Sequence, residues 1–151
     1  MTKFLALLSA SALATPAAAQ APVLHVSGWA RPTVAAQKNA AAYVSIHNAG
    51  LGGDRLLSVA SPAAANAAVH STTMTGGVAR MRAVGAVPIA ANGRINMKSG
   101  GLHIMMTGLK SPLRPGGKLP VTLRFERAGL VRTTLPIQMS APTEDHGPHR
   151  H

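Results

Sequence analysis

The sequence predicts an all-β fold, a sandwich or a barrel in a single domain. Three observations predict it. Short apolar-rich runs recur roughly every 8–12 residues, the spacing of strands joined by tight turns. Gly, Pro, Asn and Ser punctuate the gaps, and the chain holds 15 Gly and 11 Pro. After the N-terminal segment, no stretch keeps a helical period over three turns.

Residues 1–19 read as a cleaved secretory signal peptide. Lys3 is a short positive start, Phe4 to Leu13 is apolar, Pro16 breaks the run, and Ala17, Ala18 and Ala19 supply the small residues before a cut at Gln20. That run is too short to span a bilayer, which takes about 20 residues. Residues 20–139 then form the domain, of single-domain length, and 140–151 a flexible tail. The expected location is the periplasm, with no membrane span after cleavage.

Within the domain, VLHVSGWARP reads as a first strand ended by Pro32, and AAYVSIHNAG as an alternating second strand ending in a turn. DRLLSVAS follows GLGG as a third. PAAANAA, residues 62–68, is limited to one helical turn at most. AAVHS and VARMRAV flank TTMTGG, expected as a loop. RINMK and LHIMMTG flank SGG. The stretch from Leu119 to Gln138 reads as a hairpin turning at Arg127, Ala128 and Gly129.

Composition excludes several function classes. There is no cysteine, so disulfides, thiolate metal sites and thiol nucleophiles are absent. Asp54 and Glu126 are the carboxylates of the folded region, too far apart in sequence to suggest paired acid–base chemistry, and Asp54 beside Arg55 reads as a structural turn or strand-start residue. No catalytic residue and no enzyme activity are expected. GLGGDR is followed by a strand pattern rather than a helix, so it is no nucleotide loop. The net charge is +11, which suggests acidic protein surfaces, membrane phosphates or nucleic acid as partners, or simply a solvated surface. Scattered cations and few aromatics (Trp29, Tyr43 and Phe125 after the leader) argue against nucleic acid.

His and Met carry the chemistry. Ten residues separate His70 from Met81, 21 more separate Met81 from His103, and one separates His103 from Met105. Four fixed positions at these residue frequencies meet by chance about 5 × 10⁻⁴ times in such a chain, a low false-positive rate for a motif. Thioethers select Cu(I), and imidazole suits copper. All four donors are neutral, which matches a monovalent ion. On a strand, residues i and i+2 share a face. His103 and Met105 therefore point one way and Ile104 and Met106 the other, into packing. His70 and Met81 would come from neighbouring strand ends.

The pattern His-x10-Met-x21-His-x-Met resembles the signature of the periplasmic copper chaperones called PCuAC. AAYVSIHNAG, DRLLSVASPAAANAAVH, GGVARMRAVGAVPI and GGLHIMMTGLKSPLRPGGKLPVTLRFERAG resemble that family too, so the likeness spans roughly residues 40 to 138. It implies a cupredoxin-like Greek-key β-sandwich holding one Cu(I) through His70, Met81, His103 and Met105. It also implies delivery of copper to the CuA centre of cytochrome c oxidase subunit II, with another periplasmic copper acceptor as the wider case. The rival reading is a copper buffering or detoxification protein without a dedicated recipient.

The remaining His and Met residues have plainer expectations. Met74 is a surface residue or a substitute ligand, Met97 and Met106 are core, and His25 and His47 are structural or exposed, with no partner spacing. His146, His149 and His151 in the tail form a candidate second site whose imidazoles, with Glu144 and Asp145, suit Cu(II).

Overall fold

The structure, a computed structural model, describes residues 22–142. The expected signal peptide and the tail histidines lie outside the described residues. Ten strands follow in chain order: β1 (Leu24–Ala30), β2 (Asn39–Asn48), β3 (Asp54–Ala60), β4 (Ala64–Thr75), β5 (Val78–Ala83), β6 (Val87–Ile89), β7 (Arg94–Asn96), β8 (Leu102–Leu109), β9 (Lys118–Phe125) and β10 (Gly129–Pro136). Among the described residues there is no helix.

The strands make two antiparallel sheets in the order β1-β2-β8-β4-β5, with β7 also on β2, and β10-β9-β3-β6. The chain passes between sheets at β2–β3, β3–β4, β5–β6, β6–β7 and β8–β9, and β8 inserts between β2 and β4. This is the cupredoxin-like Greek-key sandwich that the resemblance implied. The two sheets are stitched at one side by a parallel bridge between Ala30 and Ile137, beside which the Gln138 amide donates to the Ala30 carbonyl.

Alternation decides which face each strand buries. On β2, Ala40, Ala42, Val44 and Ile46 point inward. On β8, Ile104 and Met106 do so. They meet Leu119, Val121, Leu123 and Phe125 of β9 and Leu56 of β3. The opposite residues of β2 and β8 form the outer face of the first sheet, and there the candidate site sits.

Asp54 anchors the start of β3. One carboxylate oxygen accepts from the Arg55 and Arg127 amides at 2.7 and 2.9 Å, and the other from the Ala128 amide at 2.9 Å. Burial pushes the Asp54 carboxyl up, but these backbone donors, with the Arg127 charge, outweigh it and hold the group below its usual value. Asp54 is thus the structural residue expected.

Two elements differ from expectation. TTMT is not loop: β4 runs on to Thr75, and β5 begins at Val78 after a two-residue turn. Both turn residues, Gly76 and Gly77, have positive φ, 58° and 78°, the form that matches the twist of a hairpin. Ala64 to Ala68 are strand rather than a helical turn, because Ala67 and Ala68 pair with Met106 and Met105. The short β6 of the second sheet pairs with β3 although it carries Pro88, which an edge strand tolerates.

Candidate metal centre

β8 is the middle strand of the first sheet, and its register fixes the site. His103 lies directly opposite His70 on β4, and Met105 opposite Ala68. Across the next pair, Met81 on β5 lies opposite Thr72, two residues along β4 from His70. Directly opposed residues of an antiparallel pair project from the same side of the sheet. His70, Met81, His103 and Met105 therefore share the outer face, while Ile104 and Met106 are fully buried on the other.

The two imidazoles differ in setting. Their ring centroids are 6.1 Å apart, tilted by 47°. His103 is buried, and its Nδ1 lies 3.1 Å from the Gly101 carbonyl oxygen. A carbonyl only accepts, so Nδ1 carries a proton, and in the neutral ring Nε2 is the nitrogen with the free lone pair. His70 is half-buried, and its Nδ1 is enclosed without a hydrogen-bond partner. A buried unpaired nitrogen is costly, and a cation or donor meeting that nitrogen would relieve the cost.

The thioethers are graded by exposure. Met105 is half-buried, and Met81, on edge strand β5, is 58% exposed. Met74 lies opposite Ala79 and so projects from the same face, diagonal to Met81, with 67% exposure. It is an exposed strand residue. Met97 and Met106 are core, as expected.

Charge is distributed unevenly. The two carboxylates among the described residues, Asp54 and Glu126, belong to β3 and to the turn after β9, on the second sheet. Among the described residues, no three His, Cys, Asp or Glu side chains gather where they could hold an ion. Any ion bound at His70 and His103 would therefore draw its further donors from groups other than these, and two thioethers with two imidazoles suit a soft monovalent ion.

The structure adds one pairing that spacing alone misses. His25 on β1 lies directly opposite His47 on β2, with rings stacked at 6.1 Å and 27°. Both sit in the outward phase of their strands, the one signal that the sequence held.

The family model described as putative lipoprotein LpqE-like matches residues 24–137. A putative lipoprotein of Leifsonia xyli subsp. xyli is 31% identical over 138 residues, covering 87% of this chain and 82% of the relative. Among solved structures, the apo PCuAC domain from PmoF1 is similar with a TM-score of 0.66 and 27% identity, over 80% of this chain and 98% of that one. The Cu(I) solution structure of DR1885 from Deinococcus radiodurans gives 0.60 and 27%, over 85% and 83%.

Proposed function

The chain belongs to the LpqE-like family, of PCuAC type, and from that premise we propose that it is an extracytoplasmic copper carrier that binds Cu(I) and passes it on without covalent chemistry. The proposed ligands are His70, Met81, His103 and Met105. The observation that carries this reading is the register, which brings residues far apart in sequence onto one face of three adjacent strands.

Each residue has a part in the transfer. His103, buried and held through Nδ1 by the Gly101 carbonyl, presents Nε2 in a fixed direction. His70 supplies the second nitrogen from the facing strand. Met105 closes the inner side. Met81 is the most exposed of the four, so exchange starts there: an incoming ligand displaces a weak thioether while the imidazoles still hold the ion. Four neutral donors leave the site with only the charge of the ion, which favours the reduced state.

The proposed recipient is the CuA centre of cytochrome c oxidase subunit II, or another periplasmic copper acceptor. The net positive charge steers the carrier towards acidic surfaces. The tail histidines His146, His149 and His151 are proposed as a weaker Cu(II) site. Anaerobic Cu(I) titration against a colorimetric competitor tests the core site: one ion per chain is expected, with affinity falling about tenfold or more in Met81→Ala. Mixing the Cu(I) form with a purified CuA domain tests delivery. Retention of copper by the carrier would favour the buffering role.

A further inference from the structure

We propose that His25 and His47 form a second metal site, for a borderline divalent ion such as Cu(II), Zn(II) or Ni(II). The two residues are directly opposed on β1 and β2, so the backbone ladder itself sets their spacing. Their ring centroids stand 6.1 Å apart, the same separation as the His70 and His103 rings. A metal lies about 2.0–2.1 Å from an imidazole nitrogen. Two rings can therefore share one ion up to a centroid separation of about 6 Å, and rotation about the side-chain torsions closes the angle. His25 is exposed and His47 half-buried, so the pair is open to solvent and free to rotate. Neither imidazole is engaged in a hydrogen bond among the described residues.

The donor type separates this site from the first. The pair offers nitrogen, Ser27 stands two residues from His25 on the same strand face, and water completes the shell. Nitrogen with oxygen suits a divalent borderline ion, whereas the mixed nitrogen and thioether set suits Cu(I). One neighbour works against binding: Arg94 of β7 lies opposite His47 on its other side. Its charge weakens the site, which supplies a variant with the opposite sign.

Equilibrium dialysis of the full chain against Zn(II) tests the site on two backgrounds. One is the chain preloaded with Cu(I) under anaerobic conditions. The other is His70→Ala with His103→Ala, which does not depend on copper binding at the proposed carrier site, so failure of that reading and failure of this one are told apart. On both, His25→Gln and His47→Gln should each weaken the same Zn(II) equivalent about tenfold or more, and Arg94→Gln should strengthen it. A variant with His146, His149 and His151 all changed to Ala should keep that equivalent. Unchanged Zn(II) uptake in both glutamine variants, or loss of the equivalent in the tail variant alone, would overturn the proposal.

Discussion

His70 on β4 faces His103 on β8 directly across an antiparallel pair, with ring centroids 6.1 Å apart. The two rings are not equivalent. His103 is buried and tethered to the Gly101 carbonyl, whereas the enclosed Nδ1 of His70 has no partner. Along β8, His103 and Met105 alternate with the core residues Ile104 and Met106.

That alternation separates binding from stability. Met106→Ala should destabilise the fold by about 2–5 kcal/mol, because it empties a fully buried position, yet leave Cu(I) affinity within a few-fold of wild type. His103→Ala should do the reverse, with a large loss of affinity and a smaller loss of stability. Chemical denaturation and competitive Cu(I) titration read the two axes. Equal affinity losses in both variants would mean that residues 103 and 106 do not face opposite ways.

Protons compete for the same nitrogens that would hold copper. Coordination requires neutral imidazole, so Cu(I) affinity should fall as pH is lowered into the acid range where protons occupy imidazole nitrogens. Thioethers do not titrate in that range, so the fall should be shallower than at a thiolate site. In a variant with both His70 and His103 changed to Met, the slope should flatten. An equally steep slope there would exclude the two histidines as the titrating ligands.

Much of the fold was legible because β9 and the second half of β2 alternate and Gly, Pro and Asn mark the turns. The end of β4 was not. Thr73 and Thr75 are polar and run into Gly76 and Gly77, which reads as loop, although β-branched threonines favour strands. The missed part of β4 holds Met74, and the hairpin it extends carries Met81. Ala64 to Ala68 misled for another reason. Alanine has high helix propensity, and only the pairing with β8 overrides it. At the site, the i, i+2 pair His103 and Met105 was readable from one strand. The facing of His25 and His47 was not, because register across β1 and β2 is fixed by pairing rather than by any local motif.

Acid should find a weak point at Asp54. Its folded carboxyl is held below the ordinary value, about 3.8, by the Arg127, Ala128 and Arg55 amides acting against burial. A depressed folded value gives stability that is complete above the unfolded value and is lost as pH falls through the folded one. The contribution should therefore be flat near neutrality and begin to fall once the pH drops below about 4. Asp54→Asn removes it at all pH values and turns an NH2 group towards at least one of the three amide donors. A cost of about 1–3 kcal/mol at pH 7 is expected, shrinking in acid. Denaturant melts of both proteins at pH 7 and pH 3 check this, and a cost as large at pH 3 as at pH 7 would contradict it.

The hairpin turn should couple local backbone strain to copper binding. Gly77 has φ 78° and open space where a Cβ would stand, as does Gly129, with φ 74°, at the start of β10. An Ala at either position meets the same backbone penalty and no clash, about 1–2 kcal/mol. Their positions differ in consequence. The Gly76–Gly77 turn aligns β5 on β4 and so sets where Met81 projects; Gly129 begins a strand of the second sheet, away from the site. Both Gly→Ala variants should lose similar stability, but only Gly77→Ala should also lower Cu(I) affinity. Gly77→Asn should recover part of both losses, since Asn tolerates positive φ. If Gly129→Ala lowers Cu(I) affinity as much as Gly77→Ala, then copper binding follows global stability rather than the placement of Met81.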